Sequence, residues 1–285
     1  MSERLPVGDT LNEAFQFGLR RIGTVIRLGW LPMALVFGMG AGLVRLIFDV
    51  STLESSEDPS ILLNPEAYLT VPAPVAVLLG VVVLIIAMLL MAGFMASVYR
   101  LVALGEDRGG YFDLRFDGPS VRVFWAQLII ALIGYGIFAI AFLLASVVTG
   151  GSGGVAVVLS LAVLFALPVL AFVNVRLAAF PAGSAAENRL FFRGAFDLSK
   201  GRFWSIFGVY FFLVLALMVF GIIYTILSSI LEMLASLGGA GGALAAIGVV
   251  FTALQIGMMI FYQAFVLGVQ LSTQAIIYRR LKTGA

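Results

Sequence analysis

Five stretches of this 285-residue chain carry no Asp, Glu, Lys or Arg: 28–44, 67–99, 123–175, 203–231 and 233–278. A helix needs about 20 apolar residues to cross the hydrocarbon core of a bilayer. The first, second and fourth stretches therefore hold one span each. The third is 53 residues long, enough for two, and is interrupted by Thr149-Gly150-Gly151-Ser152-Gly153-Gly154. The fifth opens on Gly238-Gly239-Ala240-Gly241-Gly242 and then leaves one long span. Composition agrees: 62% of residues are hydrophobic and 11% charged, against about 45–50% and about 25% in soluble domains.

The expected fold is an all-α integral membrane domain over residues 1–285. Six transmembrane helices are expected near 23–48, 74–103, 121–149, 155–179, 203–231 and 243–278. With six spans, 16 of the 17 basic residues fall on one side, leaving net charges of +7 there and −5 opposite. The opposite side holds Arg45 as its one cation. Basic loops stay cytoplasmic, so both termini are expected inside a cell's inner membrane. Splitting 233–278 into two spans would strand Arg279, Arg280 and Lys282 outside. A pI near 9 then reports anionic lipid, and no aromatic-and-basic pattern for stacking bases points to nucleic acid. The apolar run after Arg27 continues too far for a signal peptide.

Two cytoplasmic amphipathic segments are expected to lie along the membrane surface. In 9–22, Thr10 and Glu13 suggest a capping box, and Leu11, Ala14, Phe15, Gly18, Leu19 and Ile22 recur at helical spacing. In 184–200, Ser184 and Glu187 repeat the box, and Lys200-Gly201 ends the helix. Basic-aromatic entries at Arg122-Val123-Phe124-Trp125 and Arg202-Phe203-Trp204 suggest a weak threefold repeat, or simply mark the interface. Gly38-Met39-Gly40-Ala41-Gly42 fits a small-residue helix-packing pattern.

There is no cysteine and no histidine, which excludes thiol chemistry, His-based acid/base catalysis and the common zinc sites. Five of the six outside carboxylates, Asp49, Glu54, Glu57, Asp58 and Glu66, cluster in one loop, and no Walker or dinucleotide fingerprint appears. No enzyme, metal or cofactor is expected. Polar residues at bilayer depth are then the candidates. In the last span Thr252, Gln255, Gln263, Gln270 and Gln274 fall within about 100° of one another. They either bond neighbouring helices or line a polar path, and Gln263 lies deepest. Gln127 in the third span and Asn174 in the fourth are further path candidates. Arg45, Arg176 and Arg202 are headgroup or anion candidates, Arg45 with Asp49 available four residues on.

The segment Arg176-Leu177-Ala178-Ala179-Phe180-Pro181, then Glu187, then Ala195-Phe196-Asp197-Leu198-Ser199-Lys200-Gly201-Arg202-Phe203-Trp204 resembles a family pattern. It is similar to the six-span membrane domain of some glycerophosphodiester phosphodiesterases and of related YciC-like inner-membrane proteins. Phe196-Asp197 stands where the family has Ser-Trp, and the opening Val7–Phe15 is also similar. The resemblance implies the six-span fold. The chain has no phosphodiesterase domain, so no catalytic activity carries over. The expected function is to bind or move lipids or other amphiphiles, or to partner a lipid-acting enzyme. A small-solute permease and a membrane scaffold are the alternatives. Membrane lipids are the expected partners, with a protein partner or a homo-oligomer left open.

Overall fold

The computed structural model describes residues 5–48, 69–107, 116–149, 154–236 and 243–284. They form helices α1 (Val7–Arg20), α2 (Ile22–Ile47), α3 (Ala73–Leu104), α4 (Gly118–Val148) and α5 (Val155–Arg176). Two short helices, α6 (Phe180–Ala186) and α7 (Phe192–Ser199), precede the long α8 (Phe203–Ser236) and α9 (Ala243–Thr283). Among the described residues, six helices are long and apolar enough to cross a membrane. The architecture is that of a multi-pass helical membrane protein.

Local chemistry sets the helix ends. Pro72 caps α3 and a second proline occupies its first turn, where no N–H is missed. Its other end closes on Gly105 at φ 73, whose N–H reaches the Arg100 and Leu101 carbonyls. The Asp117 carboxylate caps α4 by accepting from Ser120 N at 3.1 Å and Ser120 Oγ at 2.7 Å.

The packed core lies toward the end that carries both termini. Val25 and Leu28 of α2, Phe94 and Tyr99 of α3, Phe180 of α6 and Phe265, Val269 and Ile276 of α9 are buried there together. Toward the far end the helices expose broad apolar sides, with Leu143 and Leu164 each more than 60% exposed. A belt of this kind suits a hydrocarbon solvent. The two ends of the chain meet directly: Glu13 of α1 pairs with Arg279 and, at 3.1 Å, with Arg280. Arg202 donates to the Leu281 carbonyl at 3.2 Å. Six crossings bring the chain back to the end it started from.

Two expectations need correction, the single 184–200 helix and the two capping boxes. The 184–200 segment is two short helices with a turn between them. Asn188 sits at φ 59, and the Phe191 ring turns into the core between two glycines. A Cβ on Gly183 or on Gly194 would come within 2.3 Å of that ring. Helix α6 is buried throughout Phe180–Ala185, so it is part of the bundle and not a surface element. Neither capping box forms. Thr10 Oγ donates to the Pro6 carbonyl at 2.8 Å while Glu13 serves the C-terminal arginines. Ser184 Oγ accepts from Phe191 N at 3.1 Å. Helix α1 packs one face, the small residues Thr10, Ala14 and Gly18, against α9. A Cβ on Gly18 would meet Val269 Cγ2 at 2.5 Å, and Phe15 and Phe265 have ring centroids 6.0 Å apart.

Helix α9 runs unbroken for 41 residues, roughly 60 Å at about 1.5 Å per residue, so its length is taken up by protrusion beside α1. Gly268 is the crossing point that lets α1 and α2 approach. Its Cβ would lie 3.3 Å from Val25 Cγ2 and 3.6 Å from Gly18 Cα. Gly38, Gly40 and Gly42 of α2 have nothing within 4 Å, so that stripe packs no helix among the described residues.

Candidate functional site

The glutamine stripe of α9 divides when its neighbours are in place. Gln274, half-buried, accepts the Tyr99 hydroxyl at 2.5 Å. Tyr99 is fully buried on α3, and Gln127 of α4 and Tyr210 of α8 contact the same pair. Polar side chains of four helices thus meet at one place in the core, with the Tyr99–Gln274 bond joining α3 to α9. Gln255 Nε2 lies 3.5 Å from Ser228 Oγ on α8, a long contact at half-buried depth. Thr252 bonds the Gly248 carbonyl of its own helix at 2.9 Å. Gln263 and Gln270 are exposed and make no hydrogen bond among the described residues.

Gln263 nevertheless occupies a defined place. It lines a lateral cleft of about 260 Å³ between α2 and α9, together with Ile26, Trp30, Met33, Phe37 and Met259. Every other wall residue is apolar. A second cleft, about 250 Å³, lies between α3 and α4 and is lined by Met88, Met91, Met95 and Gln127. The Gln127 amide donates there to Met95 Sδ at 3.6 Å. Asn174 is exposed on α5 and turns its amide back to the Leu170 carbonyl at 2.9 Å.

The arginine candidates also separate. Arg176 lies over Phe172 and Phe203, 5.4 and 5.9 Å from their centroids, with Ser199 Oγ 3.5 Å away. Arg202 is committed to the C-terminus of α9. Arg45 is exposed at the far end of α2; Asp49, its expected partner, lies outside the described residues. A separate group of cations lies at the α1–α2 junction. Arg20, Arg21 and Arg27 surround a concavity of about 390 Å³ at the α1–α2 junction, floored by Gly23 and Thr24. Arg21 also borders an adjoining concavity of about 440 Å³ with Glu13, Phe17 and Arg279.

Two carboxylates organise this end, and sequence reading assigned both to helix caps. Glu187 accepts from Tyr278 and Lys282 at 3.0 Å each and from Arg189 at 2.8 and 3.0 Å. Partial burial pushes its carboxyl up, but the Lys282, Arg189 and Tyr278 donors outweigh that and hold it below its ordinary value. Glu13 behaves alike: burial raises it, and the Arg279 and Arg280 guanidiniums bring it below normal. Apart from Arg189, two residues from Glu187, these partners come from elements distant in sequence, so no local pattern announced them. Tyr99 was equally hidden, as one aromatic among many in an apolar span.

No family model, curated protein or solved structure matches this chain.

Proposed function

We propose that this is a non-enzymatic membrane protein that takes amphiphiles sideways from the bilayer. The observation that carries the reading is the Gln263 amide, which makes no hydrogen bond among the described residues, on the wall of an otherwise apolar lateral cleft. An amide in an apolar environment without a hydrogen bond costs roughly 1–3 kcal/mol. An acyl chain fills the cleft's apolar walls, and the ester carbonyl or hydroxyl of the same molecule completes the amide. A polar path for small solutes is less well supported, since the α9 amides diverge: Gln274 bonds its neighbour across the core while Gln263 and Gln270 lie outside.

The reading places the chain in a cell's inner membrane with the arginine-rich end and both termini cytoplasmic, on the charge asymmetry of its loops. Kinship with the six-span phosphodiesterase-associated and YciC-like domains is part of the proposal and rests on the motif residues from Arg176 to Trp204. Native mass spectrometry of the detergent-extracted chain tests the function. We expect retained phospholipid on the wild type and its loss in Gln263→Leu, with thermal stability equal or higher. Retention unchanged by that substitution would remove the cleft from the function.

A further inference from the structure

We propose that the lateral cleft and the Arg20-Arg21-Arg27 concavity are one binding site for an anionic glycerophospholipid, an inference that rests on the lateral uptake of lipid proposed above. The phosphate sits among the three arginines, the ester region against Gln263, and one acyl chain in the cleft.

The two cavities share a helix face. On α2, Gly23, Arg27, Trp30, Ala34 and Phe37 fall within about 80° of one another at 100° per residue. Gly23 and Arg27 belong to the concavity, while Trp30, Ala34 and Phe37 belong to the cleft. Helix α9 runs antiparallel to this face, and its register is fixed where Gly268 meets Val25. Trp30 and Gln263 each lie five residues beyond that crossing, so both stand roughly 7.5 Å deeper at about 1.5 Å per residue. Arg27 lies two residues beyond it, which leaves Gln263 roughly 4.5 Å below Arg27 along the bundle. Guanidinium, amide and apolar wall thus succeed one another in the order phosphate, ester and acyl chain of a glycerophospholipid.

Charge selects among headgroups. Arg20 and Arg21 make no ion pair among the described residues. Arg27 lies 2.7 Å from Asp107, which orients that guanidinium and offsets one of three positive charges. Among the described residues the concavity stays net positive. An anionic headgroup gains from this, whereas the ammonium of a choline headgroup meets cations. Arginine also suits phosphate geometrically, through paired N–H donors.

The test uses the full chain in phosphatidylcholine nanodiscs with Trp30 as the only indole, in a W125F/W204F background. Phosphatidylglycerol or phosphatidylcholine with brominated acyl chains serves as a short-range quencher. We expect half-maximal Trp30 quenching at a mole fraction of brominated phosphatidylglycerol at least about fivefold lower than of brominated phosphatidylcholine, the factor roughly one arginine supplies near anionic lipid. Arg20→Gln/Arg21→Gln keeps the Arg27–Asp107 pair and alters only exposed side chains. It should bring the two curves together while quenching by brominated phosphatidylcholine persists. Equal curves in the arginine-intact protein would overturn the anionic site and leave lateral lipid binding standing. A preference that survives the double substitution would place selectivity elsewhere and overturn it too. Absence of Trp30 quenching by either lipid would defeat both this inference and the reading beneath it.

Discussion

Where α1, α2 and α9 cross, single hydrogen atoms decide the packing. The Cβ that Gly18 lacks would lie 2.5 Å from Val269 Cγ2, and a β-branched side chain has little freedom to withdraw. Gly18→Ala is therefore expected to lower thermal stability, with a cost of about 1–3 kcal/mol from overpacking. Gly38 lies in a helix with nothing within 4 Å of its missing Cβ, and there alanine has the better helix propensity. Gly38→Ala should leave the melting temperature unchanged or slightly raised. Thermal unfolding of the two variants in one detergent checks both, and a neutral Gly18→Ala would refute the close crossing. Both glycines are plain in the sequence, yet the glycine-rich stripe of α2 looked the stronger packing signal. The decisive neighbour of Gly18 is 251 positions away, and no spacing within α1 shows it.

At the scale of elements, α1, the α6–α7 elbow and the last turns of α9 are tied by two acidic residues. Glu13 and Glu187 both titrate below their ordinary value of 4.5, because their cationic partners outweigh the burial that would raise them. A carboxyl depressed in the folded state contributes stability above its unfolded pKa and loses it as pH falls through the folded value. Stability should thus hold constant above about pH 5 and fall as the medium is acidified past 4.5. Glu13→Gln and Glu187→Gln should each flatten part of that decline, and the double variant most of it. Melting temperature followed from pH 7 to pH 3 measures this; a decline equally steep in the double variant would assign it to other groups. Exposure differs between the two, with the Glu187 side chain 14% and that of Glu13 36% accessible. Glu187 should therefore carry the larger share, since solvent screens the other pair more strongly.

For the whole molecule, the contrast between a packed terminal end and splayed apolar helices beyond it fits a bundle that opens toward lipid. Lateral clefts between α2 and α9 and between α3 and α4 occur where the helices lose their buried contacts. The orientation proposed from loop charge has a direct check: a reporter fused after Thr149 should read periplasmic, and one fused after Gly284 cytoplasmic. The opposite pair of signals would invert the bundle and move the arginine concavity to the outer leaflet side.

Six spans and their approximate ends were legible in the sequence, because a charge-free run of this length has one favourable solvent and each helix satisfies its own backbone there. The common end shared by the termini was legible too, being a parity consequence of six crossings. The fate of the polar residues was not. Thr252, Gln255, Gln263, Gln270 and Gln274 share a stripe by rotation alone, but which of them meets a partner depends on which helix lies opposite at each level. Only the tertiary structure set Tyr99 against Gln274, left Gln263 on the wall of a cleft, and turned Glu13 and Glu187 from helix caps into ties between distant elements. Helical periodicity fixes the direction in which a side chain leaves its own axis; what it meets there depends on where another helix crosses.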